Sequence, residues 1–145
     1  AHSTAIGAGG KTIAVLGTSL DNFYPKSNEA LQLRIMREQL AISQFPAGMR
    51  GSKSSFPARN RTMALLSDAT VIIEAGEKSG TEHQGWEAIR LGRPLFISEL
   101  VASENFEWVK KLVYYGAEIL SQTTSEMMFD SIPMLPDDAT EQLAL

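Results

Sequence analysis

The 145-residue chain is 43% hydrophobic and 21% charged, a balance that suits a folded chain with a core to bury and excludes a disordered polar one. It has no cysteine, which excludes disulfides, thiolate nucleophiles and cysteine-based zinc sites, and two histidines 81 positions apart are a poor start for any other metal. The net charge of −4 is uneven: residues 1–61 hold eight Lys/Arg against three Asp/Glu and residues 62–145 five against fourteen, so one half is basic, either a surface able to attract a polyanion or simply a solvated basic helix and loop.

The chain opens AHSTAIGAGG, without an initiator methionine, and its first apolar run follows almost at once, so upstream strands of the sheet are expected to be missing from it. Strands are predicted over 12–16, 41–45, 70–74, 94–97 and 117–120, short β-rich runs separated by amphipathic stretches of helical length. The first helix, 27–39, takes Ser27 as N-cap and should turn Leu33, Met36 and Leu40 inward. Residues 46–56, PAGMRGSKSSF, are rich in Gly and Ser and carry Arg50 and Lys53; a connection this long is expected to be functional or mobile. The second helix, 57–67, starts on Pro57 and should bury Met63 and Leu66.

The third helix, 79–91, stops at Gly92, with Arg90 in its last turn and Pro94 beyond. The fourth, 103–115, has Glu104 and Glu107 early, Lys110 and Lys111 late and Gly116 past its end, charges that complement the helix dipole, with Phe106, Val109 and Val113 as its buried stripe. After Ser121 the chain turns polar, acidic and proline-punctuated, so 122–145 reads as a tail or linker behind a single domain over 1–121. The alternation specifies an α/β, Rossmann-like parallel sheet flanked by helices, with about five strands present. No apolar run approaches the roughly 18 residues of a membrane span, and the start lacks a secretory pattern, so the protein reads as cytoplasmic, with no membrane partner.

Two segments carry candidate chemistry. In TVIIEAGEKSGTEHQGWEAIR a strand ends at Glu74, and Ser79-Gly80-Thr81 stands where the next helix begins. Helix N-termini beyond the carboxyl ends of strands hold anions, although the same tripeptide also makes an ordinary N-cap. In SFPARNRTM, Arg59, Asn60 and Arg61 open a helix with guanidinium forks that suit phosphate, or that simply face solvent. Phe23 and Tyr24, in a loop past the first strand, are the better stacking candidates, whereas Trp86 and Trp108 lie on helices and should pack against the sheet. Glu74 is either a ligand contact or an ion partner for Arg59 or Arg61, and His83 lacks a second histidine at metal spacing. No metal, cofactor or catalytic residue is expected.

The run FPARNRTMALLSDATVIIEAGEKSGT, preceded by TIAVLGTSLDNFYPKSNEAL and followed by GRPLFI and WVKKLVYYGAEIL, resembles the Rossmann-like core of the DprA/Smf family of DNA-processing proteins over residues 1–121. The resemblance implies single-stranded DNA as ligand, loading of a RecA-type recombinase during natural transformation, and a homodimer. It further implies phosphate contacts from Arg59, Asn60 and Arg61, from Ser79, Gly80 and Thr81, from Gly17 and Thr18 at the end of the first strand, and more loosely from Lys53. Two departures stand out: Gln84-Gly85 where members carry Thr-Ala, and Ser98-Glu99 where they carry Pro-Gly. The same region resembles the LOG phosphoribohydrolases, which implies a small-nucleotide sensor or a nucleoside-monophosphate hydrolase as the alternative. Gln84 stands at the expected catalytic glutamate and cannot act as a carboxylate acid or base, and Glu82 projects from a different side of the helix.

Overall fold

A computed structural model describes residues 1–132; the remainder of the expected tail, 133–145, lies outside the described residues. The chain divides into two units, one ending at Met63 and the next beginning at Ala64. Among the described residues five strands pair in parallel, as one ladder of two and one of three.

The first unit opens with a short helix, α1 (His2–Gly7), then β1 (Ile13–Leu16). Its partner β2 (Leu40–Ser43) runs parallel, with Ile13 opposite Leu40 and Leu16 opposite Ser43, so the chain must cross over between them, which it does through α2 (Glu29–Glu38). Glu29 in the first turn and Arg37 in the last complement the dipole, and Arg34 bonds Glu38 at 2.8 Å. The predicted cap and stripe of this helix are both corrected. Ser27 falls in a 3-10 turn, Lys26–Asn28, and α2 follows Asn28 with no side-chain cap bond. Gln32 and Ile35 are buried, whereas Leu33, Met36 and Leu40 are exposed. A +3/+4 spacing says which side chains share a face and leaves open which face turns inward; here the rotation puts the Gln32 amide 3.1 Å from the Leu20 carbonyl, a bond that a buried amide needs. β2 also begins one residue earlier than 41–45 and ends two earlier.

α3 (Ser55–Leu66) starts two residues before the predicted Pro57. Ala64 is its buried apolar residue, Met63 is half-buried, and Leu66, expected inward, is 60% exposed.

In the second unit β3 (Thr70–Ile72), β4 (Leu95–Ser98) and β5 (Glu118–Leu120) form a parallel sheet in the order β3-β4-β5. All four residues of the central strand are buried, and three in a row, Leu95 to Ile97, are apolar, as in a strand covered on both faces. Pro94 lies outside β4 because it has no N–H to give, yet its carbonyl accepts from Thr70 N–H at 2.9 Å. α4 (Thr81–Arg90) and α6 (Glu107–Tyr114) pack on the sheet around Ile72, Ala88, Leu95, Ile97, Trp108 and Leu112. Gly85 is the contact point between these helices: a Cβ there would lie 2.7 Å from Leu112 Cδ1, so the departure from the Thr-Ala pattern is matched by close packing.

The predicted helix 103–115 begins only at Glu107, as α6, and a separate short helix that the sequence did not suggest precedes it. α5 (Glu99–Ser103) is capped by Ser98, whose Oγ accepts from Val101 N–H, and Asn105 then adopts a left-handed φ of 61° that ends the run before α6 begins. The break resets the helical phase, so α6 buries Trp108, Val109 and Leu112; Phe106 becomes its half-buried cap residue and Val113 is exposed. The early-acid, late-base pattern holds, with Lys110 on Glu107 at 2.7 Å. Gly92 and Gly116 take positive φ past their helices, the conformation their position predicts. Trp108 is buried as expected, and its Nε1–H has no partner among the described residues. Among those residues no helix is long and apolar enough to cross a membrane.

Candidate functional site

The first unit is open where an α/β sheet is expected to be, beyond the carboxyl end of β1. A cleft of about 550 Å³ is lined by Thr18 and Asn22 from the segment after β1, by Tyr24, by Arg50 to Lys53 from the loop after β2, and by Phe56 at the start of α3. Two cations three residues apart share it with two rings, Tyr24 and Phe56, whose centroids are 5.6 Å apart and tilted by 47°. Tyr24 is 65% exposed, and no carboxylate is among the lining residues. Such a surface offers charge to phosphate and flat apolar area to a base.

Local chemistry explains how the chain forms this wall. Gly17 is buried with the Phe56 ring directly over it; a Cβ would stand 2.7 Å from Phe56 Cδ1. The Thr18 hydroxyl donates to the Asn22 carbonyl at 2.9 Å, closing the turn after β1, and Ser43 Oγ donates to the Thr18 carbonyl at 2.6 Å. Ser55, buried at the foot of α3, is bonded to Ser52 through both its hydroxyl and the Ser52 N–H. Asp21 accepts from the Gly48 N–H with both oxygens, at 2.9 and 3.1 Å. The neighbouring Ser19 hydroxyl first, and the Gly48 amide after it, hold the Asp21 carboxyl below its ordinary value.

The sequence-predicted residues divide by position. Lys53 and Thr18 line the cleft. Gly17 lies beneath it as packing. Arg59 is half-buried behind Phe56: its Nε donates to Asn60 Oδ1 at 2.9 Å, its Nη1 to the Val15 carbonyl at 3.2 Å, and its guanidinium lies 5.9 Å from the Phe56 ring centre. Burial lowers its pKa below that of a free guanidinium. Arg59 therefore braces the wall, lining a smaller hollow of about 160 Å³ with His2, Gln32 and Ile35. Asn60 is buried and Arg61 exposed. Arg50, Tyr24 and Phe56 complete the cleft; Arg50 and Tyr24 were visible in the sequence as a loop cation and a loop aromatic, but nothing local shows that they meet.

Ser79, Gly80 and Thr81 belong to the second unit, at the start of α4. The Ser79 hydroxyl donates to Thr81 Oγ1 at 2.7 Å and lies 3.2 Å from the Thr81 N–H, so much of the expected cradle is closed on itself, while a Cβ on Gly80 would meet nothing within 4 Å. The opening beyond β3 is of a different character: Glu74 and Glu104 line it with Ile73, Leu100 and Phe106, and no cation is among its lining residues. Among the described residues no group of three or more His, Asp or Glu is placed to hold a metal ion.

Residues 1–131 match the family model of DNA recombination-mediator protein A. The chain is 37% identical over its whole length to protein Smf of Synechocystis, and 44% identical over 66% of its length to DNA processing protein DprA of Streptococcus pneumoniae. It spans about a third of those relatives, 37% and 34% of their lengths. Its fold matches the X-ray structure of the Streptococcus pneumoniae protein with a TM-score of 0.80 at 33% identity, over 92% of this chain and 47% of that one. It also matches DNA processing protein A of Helicobacter pylori, in a structure concerned with that protein's single-stranded DNA binding mode, with a TM-score of 0.71 at 28% identity, over 84% of this chain and 58% of the other.

Proposed function

The chain belongs to the DNA recombination-mediator protein A family, and from that premise we propose that it binds single-stranded DNA in the cleft beyond β1. Arg50 and Lys53 neutralise backbone phosphates there, and Tyr24 and Phe56 stack on bases. What supports this most is one observation, the pairing of two cations with two tilted rings in a single cleft free of lining carboxylates. The Helicobacter pylori neighbour, a protein with a single-stranded DNA binding mode, is consistent with it. Arg59, Asn60 and Gly17 hold the wall in shape, and Arg61 and the Ser79-Gly80-Thr81 turn are secondary phosphate contacts. Delivery of the bound strand to a RecA-type recombinase, self-association of the chain and a cytoplasmic setting are parts of the same proposal, as is a binding domain over 1–121 followed by a tail.

The nucleotide-hydrolase alternative has less support, because Gln84 supplies no carboxylate and the cleft is lined by none. Anisotropy of a labelled oligothymidylate, titrated with the full chain across a salt series, tests the proposal. The logarithm of affinity is expected to fall linearly with that of salt, and Arg50→Ala and Lys53→Ala are each expected to reduce the slope by about 0.7. Affinity indifferent to salt, or alanine variants that bind as wild type, would refute it. Release of free base from nucleoside monophosphates would favour the hydrolase instead.

A further inference from the structure

The cations of the cleft sit on a stretch with no helix or strand of its own, since none lies between Ser43 and Ser55. Something else must hold Arg50 and Lys53 in place. The loop is tied to the segment after β1: the Gly48 N–H rests on both oxygens of Asp21, the Met49 carbonyl accepts from the Ser19 hydroxyl at 2.9 Å, and a Cβ on Gly51 would lie 2.8 Å from Thr18 Cγ2. Of these ties the Asp21 bond is charge-assisted, about twice as strong as a neutral one.

Asp21 is also an exposed negative charge beside a cleft read as binding a polyanion. Coulomb's law alone says that deleting it should strengthen binding. Its bonds say the opposite. We propose that Asp21 is a positioning residue for strand binding: by accepting from Gly48 it docks the 46–53 loop against the end of β1 and so presents Arg50 and Lys53 beside Tyr24 and Phe56. The inference rests on the strand-binding reading above and adds a residue that touches no DNA.

The two effects have opposite signs, which makes the test sharp. The same titration is run on the full chain with Asp21→Ala, Asp21→Asn and Asp21→Glu, and thermal unfolding of each variant checks that it is folded. Asp21→Ala is expected to weaken binding roughly tenfold or more, the effect of losing one hydrogen bond to a charged group, and to flatten the salt dependence toward that of Lys53→Ala. Asp21→Asn keeps a carbonyl acceptor for Gly48 and should recover most of the affinity. Asp21→Glu keeps the charge but displaces the acceptor by one methylene, and should weaken binding as alanine does. Should Asp21→Ala fail to fold, the Asn and Glu pair still separates geometry from charge. An Asp21→Ala or Asp21→Glu variant that binds as wild type or tighter, while Arg50→Ala and Lys53→Ala weaken binding, would overturn the positioning role. If Arg50→Ala and Lys53→Ala bind as wild type, the strand-binding reading falls and the positioning role falls with it.

Discussion

Replacing Gly17 by alanine is expected to damage the cleft from beneath. The added Cβ would lie 2.7 Å from Phe56 Cδ1 and 2.9 Å from Cε1, where carbon atoms ordinarily rest about 3.5–4.0 Å apart, so the ring must retreat by roughly 1 Å. Its retreat is obstructed, because the Tyr24 ring lies tilted beside it at 5.6 Å and the Arg59 guanidinium lies 5.9 Å from its centre. Overpacking of this kind costs about 1–3 kcal/mol. For a chain of this length each kcal/mol lowers the melting temperature by about 2–4 °C, so a fall on the order of 2–12 °C is expected in thermal unfolding followed by circular dichroism. Phe56→Leu removes the colliding ring atoms, so the cost of Gly17→Ala should shrink by about 1 kcal/mol or more in that background, a coupling that a double-mutant cycle measures directly. Wild-type melting of Gly17→Ala, or strict additivity with Phe56→Leu, would show that the glycine is there for another reason, such as close approach of a ligand to its backbone.

Arg59→Ala should announce itself in stability, with a loss of about 1–3 kcal/mol as the Val15 carbonyl loses a donor, and Arg59→Lys should restore only part of it because an ammonium lacks the planar fork; chemical denaturation would read both. Trp108→Phe should cost less than about 1.5 kcal/mol, since the indole N–H it deletes has no partner among the described residues, whereas Trp108→Ala should cost about 3–5 kcal/mol by opening a cavity in the core; equal losses would mean that the N–H is satisfied after all. The carboxyl of Asp21 titrates below its ordinary 3.8 in the folded chain, so its contribution to loop docking is present above that pH and is lost as pH falls through the lower, folded value. The extra protection of the Gly48 amide from hydrogen exchange in wild type over Asp21→Ala should therefore vanish in acid; a difference that widens below pH 3.8 would contradict the sign.

Elements defined by local chemistry were legible in the residues. Gly92 and Gly116 end their helices with positive φ, Glu107 and Lys110 pair along one helix, and β-rich runs become strands within one or two residues. The start of the helix expected at 103 was not, because the polar run Ser103–Asn105 reads as helix surface, whereas Asn105 takes a left-handed conformation that ends the short helix before it and delays the next to Glu107. The inward face of α2 was misread for a related reason: Leu33 and Met36 on one side compete with Leu31 and Ile35 on the other, and periodicity alone does not rank two apolar faces.

The sequence by itself supplied the ingredients of the proposed site, basic residues in the first 61 positions and a loop too long and too rich in Gly and Ser for a plain connection, while its expectations centred on the Arg59–Arg61 helix start and the Ser79-Gly80-Thr81 turn. Only the tertiary structure decided which cations face the cleft. Arg59 and Lys53 are alike in charge and six positions apart, yet burial against Phe56 and the Val15 carbonyl makes one a brace, while a loop docked through Asp21 turns the other toward solvent beside the rings. Charge is carried by the residue and is readable in one dimension; its accessibility depends on neighbours brought from tens of positions away, and those are set by packing.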